Sequence, residues 1–317
     1  MLTAEAVKNQ AKMMGVDLVG IASMDRFEGA PKQQDPRYIF PAAQAAVVLA
    51  FRLPRGYFRG IEEGTYFAAY ASMGYGGMNS FYMPGVLREL CCFIEDHGYE
   101  AAPVPNMFNG TSVLFHTQTF DPTVSRPVSP DKPHPDVLVD YRIAAFAAGL
   151  GEFGYSKIFL TPEFGPRQRF VMLLTDAPLQ PDPLFEGKLC DRCKLCAVDC
   201  SGEAISTTET EKLVIAGRTI EFGKFDYMKC SVAYCGGKAE YNPFMRPGTD
   251  EATYANKYCG RPELAEACGY PNIYGNNAAI EGARGCIRSC MVHLEETGVL
   301  TNKFVNRFRT TKPWRLG

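Results

Sequence analysis

Apolar and polar positions divide the chain into three kinds of stretch. Some are amphipathic at helical spacing. Thr3 precedes a periodic run and predicts a helix from Ala4 to about Met14, with Leu2 and Val7 at staple positions across the cap. Val86–His97 repeats the pattern: Leu87, Leu90, Cys91 and Ile94 share a face, and Gly98 ends the helix. Tyr141–Ala148 predicts a short Ala-rich helix that runs into Gly149-Leu150-Gly151. Other stretches are apolar without a break, as in strands covered on both faces: Ala46–Phe51 and Phe170–Thr175, with Val16–Ala22 as a shorter strand. Residues 103–138, rich in Pro, Asn, Thr and Ser, predict an irregular excursion.

Helices alternating with apolar strands imply an α/β layer architecture for residues 1–180. Pro178, Pro181 and Pro183 then form a stiff connector into residues 181–317. A chain of 317 residues has room for two domains, or for one large domain with an appendage. Apolar residues at 46% and charged residues at 21% predict an ordinary buried core. A net charge of -2 gives no reason to expect a nucleic-acid duplex or a membrane as partner. The first residues carry no basic stretch or twin arginine, and no apolar run is long enough to span a bilayer, so a cytoplasmic protein is expected.

Cysteine changes this picture. Of twelve cysteines, ten lie after residue 189. In a reducing compartment that argues for metal or redox chemistry rather than disulfides. Cys190, Cys193, Cys196 and Cys200 follow one another at spacings of two, two and three intervening residues. Thiolate sulfur suits iron, and this spacing lets three thiolates wrap one 4Fe–4S cubane while the fourth turns to another cluster. Ser201 stands where proline is common. Zinc would favour paired units of two cysteines, which this run is not. Cys286 and Cys290 supply the partner run. By crossover, Cys190, Cys193, Cys196 and Cys290 hold cluster one, and Cys200 and Cys286 belong to cluster two. Two further ligands must come from Cys230, Cys235, Cys259 and Cys268. Cys91 and Cys92 read as small buried hydrophobes, and His116 and His134 as exposed loop histidines.

Several ordered segments resemble the reductive dehalogenase and epoxyqueuosine reductase superfamily. Asp17-Leu18-Val19-Gly20-Ile21-Ala22, Asp35-Pro36-Arg37 and Val47-Val48-Leu49 are similar to the epoxyqueuosine reductases. Ala148-Gly149-Leu150-Gly151-Glu152-Phe153-Gly154, the stretch Leu160–Arg167 and Thr175-Asp176-Ala177-Pro178-Leu179 resemble the dehalogenases. The resemblance implies a nitroreductase-like N-terminal domain over 1–180 that binds a corrinoid (cobalamin) and a small organic substrate. It implies a C-terminal two-cluster ferredoxin-like domain over 181–317, with an insertion at about 231–282, fed by a low-potential donor such as ferredoxin or flavodoxin. The implied activity is reductive removal of halogen or oxygen. Gly149, Gly151 and Gly154 are the implied cofactor-binding loop.

The resemblance also suggests individual roles. Cys230 matches the lone intermediate ligand, and Ala283 stands where the family has a further cysteine, so the last ligand falls to Cys235, Cys259 or Cys268, with Cys268 preferred. Gly74-Tyr75-Gly76-Gly77-Met78 resembles the dehalogenase proton-donor stretch, which makes Tyr75 the candidate acid, with Tyr82 behind it. The family's basic residue after Gly154 is Tyr155 here, so Lys157 is expected to supply the charge. Asp136 and Asp140 lie where epoxyqueuosine reductases keep an acid, and helix capping explains Asp140 as well. The rival expectations are an electron-transfer or corrinoid-reducing protein without its own substrate, and a relative that has lost the corrinoid.

Overall fold

The computed structural model describes residues 2–106, 113–114, 119–120, 126–234, 236–243, 245, 247–248, 284–308 and 314–316. Helix α1 (Ala4–Met13) starts where Thr3 Oγ1 accepts the Ala6 N–H at 3.1 Å. Strand β1 (Leu18–Ser23) leads into β2 (Ala45–Arg52), whose seven residues from Ala45 to Phe51 are all buried. A π-helical stretch over Ala69–Gly76 and Met78–Tyr82 passes into α2 (Met83–Glu95), followed by β3 (Ala101–Val104). Helix α3 (Tyr141–Ala147) is capped by Asp140, whose carboxylate accepts the Arg142 N–H at 2.9 Å. Strand β4 (Gln168–Thr175) completes the sheet.

The sheet order is β1-β2-β4-β3, and every pair is antiparallel. Continuous apolar runs report burial on both faces but say nothing of strand direction, so the α/β layering holds while the pairing is of the α+β kind. Successive side chains alternate between two cores. Val47, Leu49, Phe51, Val171 and Leu173 pack with α1 and α2. Val48, Ala50, Phe170, Met172 and Leu174 pack with Ile143–Ala148 on the other face. Each large apolar side chain so buried contributes about 1.5–3 kcal/mol, and the small alanines of α3 let that helix lie close on the strands.

The cysteine-rich part packs directly on these layers. The connector is pinned at Asp182: its carboxylate accepts the Ile21 N–H at 2.8 Å and pairs with Lys8, and its carbonyl accepts from Arg26 at 2.7 Å. Short helix α4 (Leu195–Val198) follows the first cysteines. A long hairpin of β5 (Ile205–Ile215) and β6 (Arg218–Phe225) turns at Ala216-Gly217, both at positive φ (50° and 71°), as a tight two-residue hairpin loop requires. Ile215, Ile220 and Phe222 join the α3 core. The alternation in Thr210-Glu211-Lys212-Leu213-Val214-Ile215 signals this hairpin, although motif reading passes over it. Helix α5 (Tyr227–Tyr234) and helix α6 (Cys286–Thr297) complete the described fold. Two ion pairs clamp α6 to residues 55–63: Arg288 with Glu62, and Arg55 with Glu295 at 2.8 Å.

Candidate iron–sulfur centres and the phenol sites beside them

Cys190, Cys193, Cys196 and Cys290 line one cavity, together with Tyr155 and His293. The turn that gathers the first three is tight: Arg192 and Lys194 both take left-handed backbone angles (φ 63° and 62°). Such turns direct backbone N–H groups inward toward anionic sulfur. The Tyr155 N–H donates to Cys190 Sγ at 3.3 Å, and the Ala204 N–H donates to Cys200 Sγ at 3.4 Å. Burial pushes the Cys196 thiol up to about 11, with Cys190 and Cys193 adding to the effect. Burial also drives Cys290 well above its ordinary value, and Cys196, Cys190 and Cys193 act in the same sense. Four thiols packed so closely cannot all ionise by themselves. Bound iron supplies the positive charge that lets them, so this donor set fits a cluster.

Cys200 and Cys196 lie in one apolar cluster with Tyr155, Ala197, Ala204 and Ile205, and Cys190, Cys230 and Cys286 pack against it. Three of the four cysteines expected to serve cluster two thus belong to the same packing cluster, beside two expected to serve cluster one. Cys235, Cys259 and Cys268, the candidates for the fourth, lie outside the described residues. Tyr155, noted in the sequence only as a departure from a basic residue, both lines the cavity and belongs to this packing cluster. It is buried, its N–H serves Cys190, and its hydroxyl donates to the Ser206 carbonyl at 2.9 Å. Asp191 and His293 are paired at 2.8 Å beside exposed Cys193. By contrast, burial pushes the Cys91 thiol up to about 12, as suits a packing residue.

Two phenol sites lie along α5, on either side of Cys230. At one end, Lys157 Nζ lies 2.5 Å from the Tyr227 hydroxyl and over the Phe222 and Tyr227 rings. Arg142 stands beside them, bound to Asp140 through Nε at 2.8 Å. Burial works against the Asp140 charge, but Arg142 outweighs it and holds the carboxyl below its ordinary range. At the other end, Tyr234 meets Tyr75, with ring centroids 5.9 Å apart. The Arg169 guanidinium lies 4.4 Å from the Tyr75 ring centroid and donates to the Gly74 carbonyl at 3.2 Å and the Tyr70 hydroxyl at 3.0 Å. Burial disfavours the Arg169 charge, and Tyr70, Tyr234 and Tyr75 more than offset this.

The sequence candidates are therefore distributed differently from expectation. The cation at Tyr75 is Arg169, while Lys157 reaches Tyr227, a residue that motif reading missed. Tyr82 is exposed and packs edge-on against Phe51, with its hydroxyl over Gly15 in the layer of α1 and α2. A Cβ at Gly149 would stand 2.0 Å from the Pro183 carbonyl oxygen, and one at Gly151 1.9 Å from that of Leu160. A Cβ at Gly154 would lie 3.2 Å from the Ile158 oxygen. The chain's own backbone thus lies close against the Cα positions of Gly149 and Gly151. Close chain packing accounts for glycine at 149 and 151. His116 lies outside the described residues, and the His134 N–H donates to Gln33 at 3.1 Å.

No family model matches the sequence. The tetrachloroethene reductive dehalogenase of Sulfurospirillum multivorans is 28% identical over 286 residues, which cover 76% of this chain and 50% of that protein. The enzyme of the same name from Desulfitobacterium hafniense is 31% identical over 135 residues, 42% of this chain and 19% of its own. A solved catabolic reductive dehalogenase shares the fold at a TM-score of 0.50 and 21% identity, covering 86% of this chain and 37% of that one. The chain spans about half the length of the first of these relatives and less of the others. The resemblance to the reductive dehalogenase superfamily read in the sequence is supported by these relatives and by the fold. No helix among the described residues is long and apolar enough to cross a membrane.

Proposed function

We infer that this chain, similar in sequence and fold to reductive dehalogenases, is an iron–sulfur reductase that removes halogen or oxygen from a small organic substrate. The observation that carries the reading is the convergence of Cys190, Cys193 and Cys196 with distant Cys290 in one cavity. Cys200, Cys230 and Cys286, the second thiol group, belong to one packing cluster with Tyr155. Bound there, cubane clusters would supply one-electron transfer at low potential. The protein's part is to hold the thiolates, keep them from water and bring backbone N–H groups to sulfur.

Reductive cleavage also needs a proton. Two phenols beside cations could hold one: Tyr75 next to Arg169, and Tyr227 next to Lys157. A low-potential ferredoxin or flavodoxin is the class of donor that would deliver the electrons, in the cytoplasm.

The second reading is an electron-transfer protein of this fold that carries no corrinoid. The backbone packed against Gly149 and Gly151, where a cofactor loop is expected, favours it. A metal count on protein purified without oxygen, from cells supplied with cobalamin, decides between the two. Two cubanes give about eight iron per chain, and a Cys193→Ser variant should lose a large share of it. Cobalt beside iron, with turnover of an organohalide under a low-potential donor, supports the dehalogenase-like reading. Iron without cobalt supports the second. Zinc in place of iron, or full iron retention in Cys193→Ser, contradicts the cluster assignment.

A further inference from the structure

Among the described residues, Tyr155 is the one residue besides cysteine that both thiol sites share. It lines the cavity of Cys190, Cys193, Cys196 and Cys290. It also belongs to the apolar cluster that holds Cys200, against which Cys230 and Cys286 pack. Only 3% of it is exposed.

The side chain is pinned from several directions. Its N–H donates to Cys190 Sγ at 3.3 Å, its carbonyl accepts the Gly223 N–H at 2.8 Å, and its hydroxyl donates to the Ser206 carbonyl at 2.9 Å. Arg192 and Lys194, on the turn that gathers the first cysteines, lie with their cations 5.4 and 5.5 Å from the ring centroid. The hairpin is shaped to the ring as well. Its register shifts between Gly223 and Phe225, and a Cβ at Gly223 would stand 2.7 Å from Cε1 of Tyr155. A phenol committed to a backbone carbonyl in this way serves to hold the ring in place. Reduction adds a negative charge to a cluster that is already anionic. Water near the cluster stabilises that charge and raises the potential, whereas a packed apolar wall keeps the potential low.

We propose that Tyr155 is a positioning residue for electron transfer between the two clusters: its pinned ring packs beside both, excludes water and holds their potentials low. This rests on the reductase reading and adds the residue that insulates its electron path. One electron leaves one cluster and enters the other. The first is oxidised and the second reduced, and no bond breaks and no proton moves at Tyr155.

Anaerobic redox titration of the iron-loaded full chain, followed by electron spin resonance of the reduced clusters, tests this without any turnover. Tyr155→Ser should raise the midpoint potential of at least one cluster. At a fixed potential its reduced-to-oxidised ratio should rise at least about tenfold, which is about 59 mV for one electron. Tyr155→Phe keeps the ring and loses only the Ser206 bond, so it should stay close to the parent. Gly223→Ala leaves Tyr155 in the chain but presses on its ring. It should shift the potential in the same direction as Tyr155→Ser, and it decides the matter if Tyr155→Ser does not retain iron. Unmoved potentials in the deciding variant, with only a lower melting temperature, would mark a purely structural residue and overturn the proposal. So would a shift in Tyr155→Phe as large as that in the deciding variant. Failure of the reductase reading looks different: the potentials shift as expected, yet no organic substrate is reduced.

Discussion

Replacing Glu62 by Gln should cost this protein about 3–5 kcal/mol, the penalty for leaving one member of a buried ion pair uncompensated. Arg288 and Glu62 retain only 7% and 3% of their side-chain exposure. The pairing is two-pronged: Arg288 Nη2 donates to Glu62 Oε1 at 2.6 Å, and Nε donates to the second oxygen. At 1.4 kcal/mol per tenfold, the loss shifts the folded-to-unfolded ratio by roughly two to four decades. Arg288 lies between Cys286 and Cys290 on α6, so the same change should loosen a ligand of each thiol group. Urea unfolding of the iron-loaded protein, with iron measured on the same samples, reads both effects. Replacing both partners by apolar residues, Glu62→Leu with Arg288→Met, should recover much of the loss, because no charge is then stranded. A Glu62→Gln cost below about 1 kcal/mol, the range of an exposed pair, would refute the reasoning. So would a double variant no more stable than the single one.

Other expectations follow from the same geometry. Asp140 caps α3 and pairs with Arg142, and its folded pKa lies below the ordinary carboxyl value. Its stabilisation is therefore complete above the unfolded pKa of about 4 and is lost as pH falls through the depressed folded value. Asp140→Asn should cost about 1–3 kcal/mol at pH 7, and the gap from the parent should narrow in acid; a gap independent of pH would oppose this. Gly149→Ala meets the Pro183 oxygen at 2.0 Å at a φ of +73°, whereas Gly98→Ala, at +84°, meets nothing within 4 Å. Both pay the left-handed backbone penalty of about 1–2 kcal/mol, so thermal melting should show Gly149→Ala to be clearly the worse. Equal melting temperatures would mean the Gly149 contact relaxes freely.

Much was decided by local chemistry in the chain. The Thr3 cap, the α2 face of Leu87, Leu90, Cys91 and Ile94, and the doubly covered strands are legible because periodicity reports burial directly. The gathering of Cys190, Cys193 and Cys196 around one cavity is legible because residues at so short a spacing share one turn. What remained for the tertiary structure was everything that depends on which face meets which. Strand direction was open, since an apolar run reads the same both ways. The neighbours of each cation were open too: Lys157 lies three residues after Gly154 yet turns to Tyr227, while Tyr75 receives Arg169 from a strand ninety-odd residues away. Glycines at 149 and 151 face backbone of Pro183 and Leu160, which only the folded chain reveals, because sequence does not show what stands opposite a missing Cβ. Sequence spacing determines ligands that share one turn; charges and phenols that meet across elements are placed by packing alone.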